Sequence, residues 1–250
     1  MDRTHSRWHE RFQQQAGWTR QLRKQVLADL NLGPSSRILD LGSGSGALFP
    51  ELSAANPGCT YGIDIDLPRL RFSADLHPGL IHTAGDGRQL PFPGGTFDLV
   101  LCHFTLLWIE GPLQAVREMV RVARPGGTVA ALAEPDYGGR IDHPAALRKI
   151  RDLQIQSLKI QGADPRMGRK LRELFRDAGV KNTSTGVYQG AWTGEHQPEN
   201  FRREWEILQA DLKDLVPPAA LEAFREADLR SRQAGRRVLY VPTFYAVGSA

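Results

Sequence analysis

At 250 residues the chain is long enough for one large α/β domain with a buried core, and its 41% hydrophobic and 24% charged residues exclude the disordered class. The net charge of +4 and a sequence pI near 9.3 are mildly basic, a balance that more often serves solubility than nucleic-acid binding. The longest apolar run, 97–109, is too short to span a bilayer and is interrupted by Asp98 and His103; the opening M-D-R-T-H-S-R-W-H-E is too charged for a signal-peptide core. Cys59 and Cys102 have no C-x-x-C spacing, so neither a disulfide framework nor a zinc site is indicated, and a reducing, cytoplasmic setting is expected.

Residues 1–30 carry Trp8, Phe12, Leu22, Val26, Leu27 and Leu30 at spacings near three and four, which predicts one or two amphipathic helices. Trp18 sits between them, with two readings open: packing on the core, or a lid over a ligand.

Residues 38–46, I-L-D-L-G-S-G-S-G, read as a strand, a glycine turn and the start of a helix. The glycines let the backbone bend sharply and let a ligand approach without meeting a Cβ. The loop loosely fits a dinucleotide fingerprint as Gly42-x-Gly44-x-x-Ala47. Asp40 argues otherwise, because a carboxylate two residues before the first glycine repels a pyrophosphate and attracts an ammonium group. The D-x-G-x-G-x-G string resembles motif I of the class I S-adenosylmethionine-dependent methyltransferases. That resemblance implies S-adenosylmethionine as cofactor, with Asp40, Gly42, Ser43, Gly44 and Gly46 around its methionine part. It also raises the lid reading of Trp18, since many members close the cofactor site with an N-terminal helix.

A second strand, 61–66, ends in Asp64 and Asp66. Asp64 lies roughly twenty residues past the loop, where an acid at a strand tip accepts both ribose hydroxyls. Asp66 is read as a helix cap. By family correspondence Ile65 packs on the adenine ring. The segments G-D-G at 85–87, L-P-F-P at 90–93 and F-D-L-V at 97–100 extend the resemblance, which implies that Asp86 accepts from the adenine amino group and the Gly87 N–H donates to a ring nitrogen. Gly87 replaces the family's usual alanine.

A buried fourth strand over 97–101 brings His103 to its C-terminal end, a candidate for contact with the cofactor or the acceptor and for a general base. Pro112 opens a helix closed by R-P-G-G at 124–127, and a fifth strand over 128–133 runs into Glu134-Pro135-Asp136-Tyr137. Asp136 and Tyr137 are the further catalytic candidates, with cap or wall roles left open. Helices are expected over 144–178, where nine basic residues face four acidic ones. A sixth strand is expected over 180–192 and a last one over 238–247. Between them, 196–235 is too long for a hairpin loop and reads as a helical insertion whose aromatics Phe201, Trp205 and Phe224 roof an apolar acceptor pocket, with Trp192 and Tyr137 as walls.

The resemblance implies a Rossmann-like α/β fold: a seven-stranded, mostly parallel sheet with helices on both faces, the last strand antiparallel between the fifth and sixth, an N-terminal helical lid at 1–30 and a methyltransferase domain over 31–250 with the cap insertion. The expected function is methyl transfer to a small-molecule acceptor, with the O, N or C atom and the oligomeric state left open. A dehydrogenase is disfavoured by Asp40, and none of the five tyrosines has a lysine four residues on. An RNA methyltransferase fits the pI but not the absence of an N-P-P-Y segment. A non-catalytic S-adenosylmethionine-binding protein remains a rival, because this chemistry leaves a thin catalytic signature.

Overall fold

The central strands are apolar on both faces, and the chain supplies helices to cover both. A computed structural model describes residues 3–30, 32–56, 58–188 and 198–250. Nine strands are present among these residues: β1 (Arg37–Leu41), β2 (Cys59–Asp64), β3 (Ile81–Ala84), β4 (Phe97–Cys102), β5 (Ala123–Pro135), β6 (Ile141–His143), β7 (Lys181–Tyr188), β8 (Val238–Tyr240) and β9 (Thr243–Ser249). Seven of them form one sheet in the order β3-β2-β1-β4-β5-β9-β7. Pairings are parallel from β3 to β5, and β9 runs antiparallel between β5 and β7, as expected.

The helices are α1 (Arg3–Trp18), α2 (Arg20–Ala28), α3 (Phe49–Ala55), α4 (Leu67–Leu76), α5 (Pro112–Val122), α6 (Arg148–Ile160), α7 (Leu171–Asp177), α8 (Pro198–Leu212) and α9 (Pro218–Gln233). On one face Leu39, Leu41, Val100 and Val129 pack with Val116, Met119 and Val122 of α5 and Phe175 of α7. On the other, Ile38, Leu99, Leu101 and Leu132 pack with Leu22 and Leu27 of α2 and Phe49 and Leu52 of α3. This two-sided cover is why the strands read as continuous apolar runs. Because successive side chains alternate, Asp40 shares the Ile38 face and lies beneath α2 and α3.

Two expectations change. The last strand is split: β8 pairs with β6 in a separate ribbon, and only β9 joins the main sheet. Pro242 falls at the break, where it cannot donate a ladder bond, and its carbonyl instead accepts the Asp136 N–H at 2.8 Å. The sixth strand is described to Tyr188, so its expected end and Trp192 lie outside the described residues.

The insertion is helical, but its aromatics do not roof the cavity described below. Phe201 and Trp205 of α8 and Leu221 of α9 form a third core with Leu147, Ile150 and Leu153. Trp205 Nε1 donates to buried Asp228 at 2.8 Å, and Arg237 joins Asp228 to Asp142, pinning the cap to the domain. Buried aromatics here build the cap itself.

Candidate cofactor and acceptor site

The strand order reverses between β1 and β4, and ligands of open α/β sheets bind beyond the carboxyl ends of strands at such a point. The loop after β1 is shaped by its glycines. Gly42 has φ +73°, and a Cβ there would lie 2.3 Å from Thr105 Cγ2. Gly44 has φ +52° but nothing closer than Phe12 at 3.6 Å, so its missing side chain leaves room above the loop. Gly42 and Ser43 both donate to the Ile63 carbonyl, which fixes the loop to β2.

A cavity of about 640 Å³ opens over this loop. Asp40, Gly42, Ser43, Gly44, Asp64, Ile65, Asp86, Gly87, His103 and Tyr137 all line it, whereas Gly46 does not: a Cβ there would lie 2.4 Å from Ser73 Oγ and 2.7 Å from Phe49 Cδ2, so that glycine serves packing beneath the loop. Asp64 Oδ2 accepts the Gly44 N–H at 2.7 Å and Oδ1 accepts the Asp66 N–H at 2.8 Å. Each oxygen keeps a lone pair for a further donor. Ile65, beside it, is 75% exposed, an apolar surface held at the cavity without cover. Asp66 caps α4, its side chain accepting from the Arg69 N–H.

Asp40 is 2% exposed, and among the described residues no hydrogen-bond donor meets its carboxylate. Burial first, then the neighbouring Asp64 charge, pushes its pKa up to about 8, with Arg23 pulling the other way. A buried acid left without a donor suits a cationic ligand group. Asp86 is held by Arg88, whose Nη2 lies 2.7 Å from Oδ2 and whose guanidinium draws the carboxyl below its ordinary range. A Cβ at Gly87 would sit 2.9 Å from Leu41 Cδ1, so the glycine relieves a contact that alanine would make.

The N-terminal helices cover the site, but not with Trp18. That ring is 47% exposed, does not line the cavity, and stacks under Arg11 with 5.0 Å from Cζ to its centroid. Trp8, Arg11, Phe12, Gln15 and Ala16 of α1 form the cover instead, and His9 Nδ1 meets Ser45 Oγ of the glycine loop at 2.9 Å. The tryptophan falls on the outer side of α1 because it lies two residues past Ala16, about 200° round the helix from that buried position.

His103 directly follows Cys102, the last residue of β4, and its Nε2 lies 2.7 Å from Thr19 Oγ1 and 3.2 Å from Arg23 Nη1. Since Arg23 can only donate, Nε2 is the acceptor and the imidazole is neutral. Burial and Arg23 hold its pKa well below the usual value. Asp136 is a correction: it does not line the cavity, and its carboxylate accepts the Gly138 N–H and Arg169 Nε at 2.6 Å. The chain turns there to place Tyr137 on the wall instead. Burial raises the Tyr137 hydroxyl pKa, so it stays a donor at neutral pH.

Two residues that the sequence reading passed over organise the site. Glu134, fully buried, accepts the N–H groups of Thr105, Leu106 and Leu107 at 2.9, 2.8 and 3.1 Å. A register shift and a φ of +111° at Ala133 turn it toward that loop, and burial pushes its pKa up to about 7. Arg23, 1% exposed, bonds Thr19, His103, the Ala16 carbonyl and Glu51, tying the lid to α3. The visible signal for Glu134 was an acid ending an apolar strand; Arg23 gave none.

Residues 39–131 match the methyltransferase domain family. That match runs from β1 into β5 and identifies a methyltransferase domain over this stretch. Among curated proteins, the chain is 38% identical over 135 residues to the demethylmenaquinone methyltransferase of Roseiflexus castenholzii, covering 52% of this chain and 56% of that one. It is 33% identical over 110 residues to the malonyl-[acyl-carrier protein] O-methyltransferase of a Marinomonas species, covering 42% and 41%. The chain thus spans about half the length of the curated relatives it matches. In fold it is similar to Haemonchus contortus phosphoethanolamine N-methyltransferase 2 solved with S-adenosylhomocysteine, with a TM-score of 0.61 at 14% identity over 93% of this chain and 53% of that one. It is similar also to the [4+2]-cyclase SpnF, with a TM-score of 0.57 at 19% identity over 92% and 80%. The second likeness shows why this fold alone does not name a reaction.

Proposed function

We propose that this protein transfers a methyl group from S-adenosylmethionine to a small-molecule acceptor held beneath α1 and the cap. The observation that carries the reading is one continuous cavity running from Asp40, Asp64 and Asp86 to Tyr137, Leu158, Ile207 and Asp211. The first group suits the cofactor: Asp40 for its ammonium, Asp64 for its ribose hydroxyls, Ile65, Asp86 and Gly87 for its adenine, and the loop at 42–44 for close approach. The second group leaves space for an acceptor.

When bound, the cofactor supplies a methyl group made electrophilic by its sulfonium. The protein's own part is then to align the acceptor and keep water out. Helix α1 and α8 close the cavity from two sides, and Tyr137 offers a hydroxyl donor to the acceptor. His103 serves in this reading as the anchor of the lid, its Nε2 being engaged by Thr19 and Arg23. Support for a small acceptor comes from the relatives named for demethylmenaquinone and malonyl-[acyl-carrier protein]. The basic stretch 148–177 speaks against RNA: Arg151, Arg169, Lys170 and Arg176 are each paired with an aspartate. No helix of the described residues is long and apolar enough to cross a membrane.

Incubation with methyl-labelled S-adenosylmethionine tests the reading, with the label followed into quinols, carboxylic acids, amines and RNA. Label in a small molecule supports it. Label in RNA alone, or bound cofactor with no transfer to any acceptor, overturns it in favour of the two rivals.

A further inference from the structure

Three arginines line the cavity, and two of them are already spent: Arg69 pairs with Asp66 at 3.1 Å and Arg88 with Asp86 at 2.7 Å. Arg11 is the third. Among the described residues no carboxylate comes within ion-pair distance of it, and its one side-chain hydrogen bond is from Nη1 to Gln14 Oε1 at 3.1 Å. The charged and titratable groups that act on it are Tyr137, Glu204 and Asp211. Glu204 is committed to Arg232 at 2.6 Å. Asp211 bonds Gln161, and burial raises its pKa, which weakens it as a counter-charge. The exposed Trp18 ring stacks on one side of it, but a half-buried guanidinium on a cavity wall still loses solvent there and gains no anion.

The surroundings say what the missing partner is. Arg11 lies in the half of the cavity built by α1, α6, α8 and Tyr137, away from the carboxylates assigned to the cofactor. Leu158 and Ile207 give that half an apolar wall. An acid on an apolar body fits both features. Resting on the methyl-transfer reading above, we infer that the acceptor carries a carboxylate and that Arg11 is the residue that selects it. Guanidinium and carboxylate pair through two parallel N–H···O bonds, a geometry that a lysine or an amide does not reproduce.

The test is a calorimetric titration of the S-adenosylhomocysteine-loaded protein with benzoate, benzamide and benzylamine as probes. Benzoate should bind on the order of tenfold more tightly than benzamide, the scale of a lost charge-assisted bond. Benzylamine should bind no better than benzamide. Arg11→Gln should erase the preference, and Arg11→Lys should keep part of it, with melting temperatures of both variants close to wild type as the check on folding. The inference is overturned if benzamide matches benzoate, if benzoate does not bind, or if the preference survives Arg11→Gln. Should S-adenosylhomocysteine not bind the wild-type protein, the cofactor reading fails by itself, and the same titrations on the free protein still decide the role of Arg11.

Discussion

Arg23 Nη2 and Glu51 Oε2 stand 2.7 Å apart, and this pair joins the second helix of the lid to the helix that follows the glycine loop. The guanidinium is buried, and it also holds Thr19 and His103. Removing it would leave Glu51 and the Ala16 carbonyl without their donor. Arg23→Ala should therefore cost about 3 kcal/mol, as for a buried pair that loses one partner. Urea unfolding measures this, and a change under about 0.5 kcal/mol, the scale of an ordinary surface substitution, would count against a closed lid.

Asp40 makes ligand binding depend on pH. With its pKa near 8 it is mostly protonated at pH 7 in the free protein, yet an ammonium is held only by the ionised form. Binding of S-adenosylhomocysteine should strengthen as pH rises from 6 to 8 and release a proton, seen as a buffer-dependent binding enthalpy. Asp40→Asn should abolish both effects. In the free protein the sign is reversed: between pH 3.8 and about 8 the folded state keeps a proton that the unfolded chain has lost. The stability that Asp40 contributes therefore falls as pH rises through that window.

His103 as an anchor predicts that His103→Ala loosens α2 and weakens cofactor affinity several-fold, with faster amide exchange over Arg20–Ala28. A general base predicts otherwise: turnover falling on the order of a hundredfold with affinity unchanged. Its depressed pKa also means that it stays neutral well below pH 6.5, so no activity step near that pH should vanish in the variant.

Glu134 offers three N–H groups their acceptor, and a glutamine puts an amide NH₂ against at least one of them. Glu134→Gln should destabilise the protein by about 1–3 kcal/mol, the cost of an unsatisfied buried donor. It should also weaken ligand binding, because Thr105 packs against Gly42 and accompanies Leu107 on the cavity wall. Thermal unfolding with and without S-adenosylhomocysteine separates the two effects; an unchanged melting temperature would show that the loop does not depend on this carboxylate.

The sheet was legible because its signals are local. Apolar runs, the glycines at 42, 44 and 46 and the acids at strand ends each report on their own few residues. Asp40, Asp64 and Asp86 could be placed for the same reason, since strand order alone carries them to one edge. What the lid and cap do was not legible. Trp18 and Trp205 are equally aromatic, yet one lies on an outer helix face and the other inside the cap against Asp228, a difference set by tertiary packing. Arg11, Arg23 and Glu134 look like ordinary surface charges until the fold buries them, because burial is a property of distant segments. The split between β8 and β9 turned on Pro242, a single residue inside a run that otherwise reads as one strand.

The central claim is that Asp40, Asp64 and Asp86 form a site for S-adenosylmethionine, and calorimetric titration of S-adenosylhomocysteine against NAD tests it most directly. S-adenosylhomocysteine should bind the wild-type protein at least about tenfold more tightly than NAD, and Asp64→Ala should lose roughly 1.5–3 kcal/mol of that binding, the worth of hydrogen bonds to a charged group. Tight NAD binding, or an Asp64→Ala protein that holds S-adenosylhomocysteine as well as wild type, would contradict it.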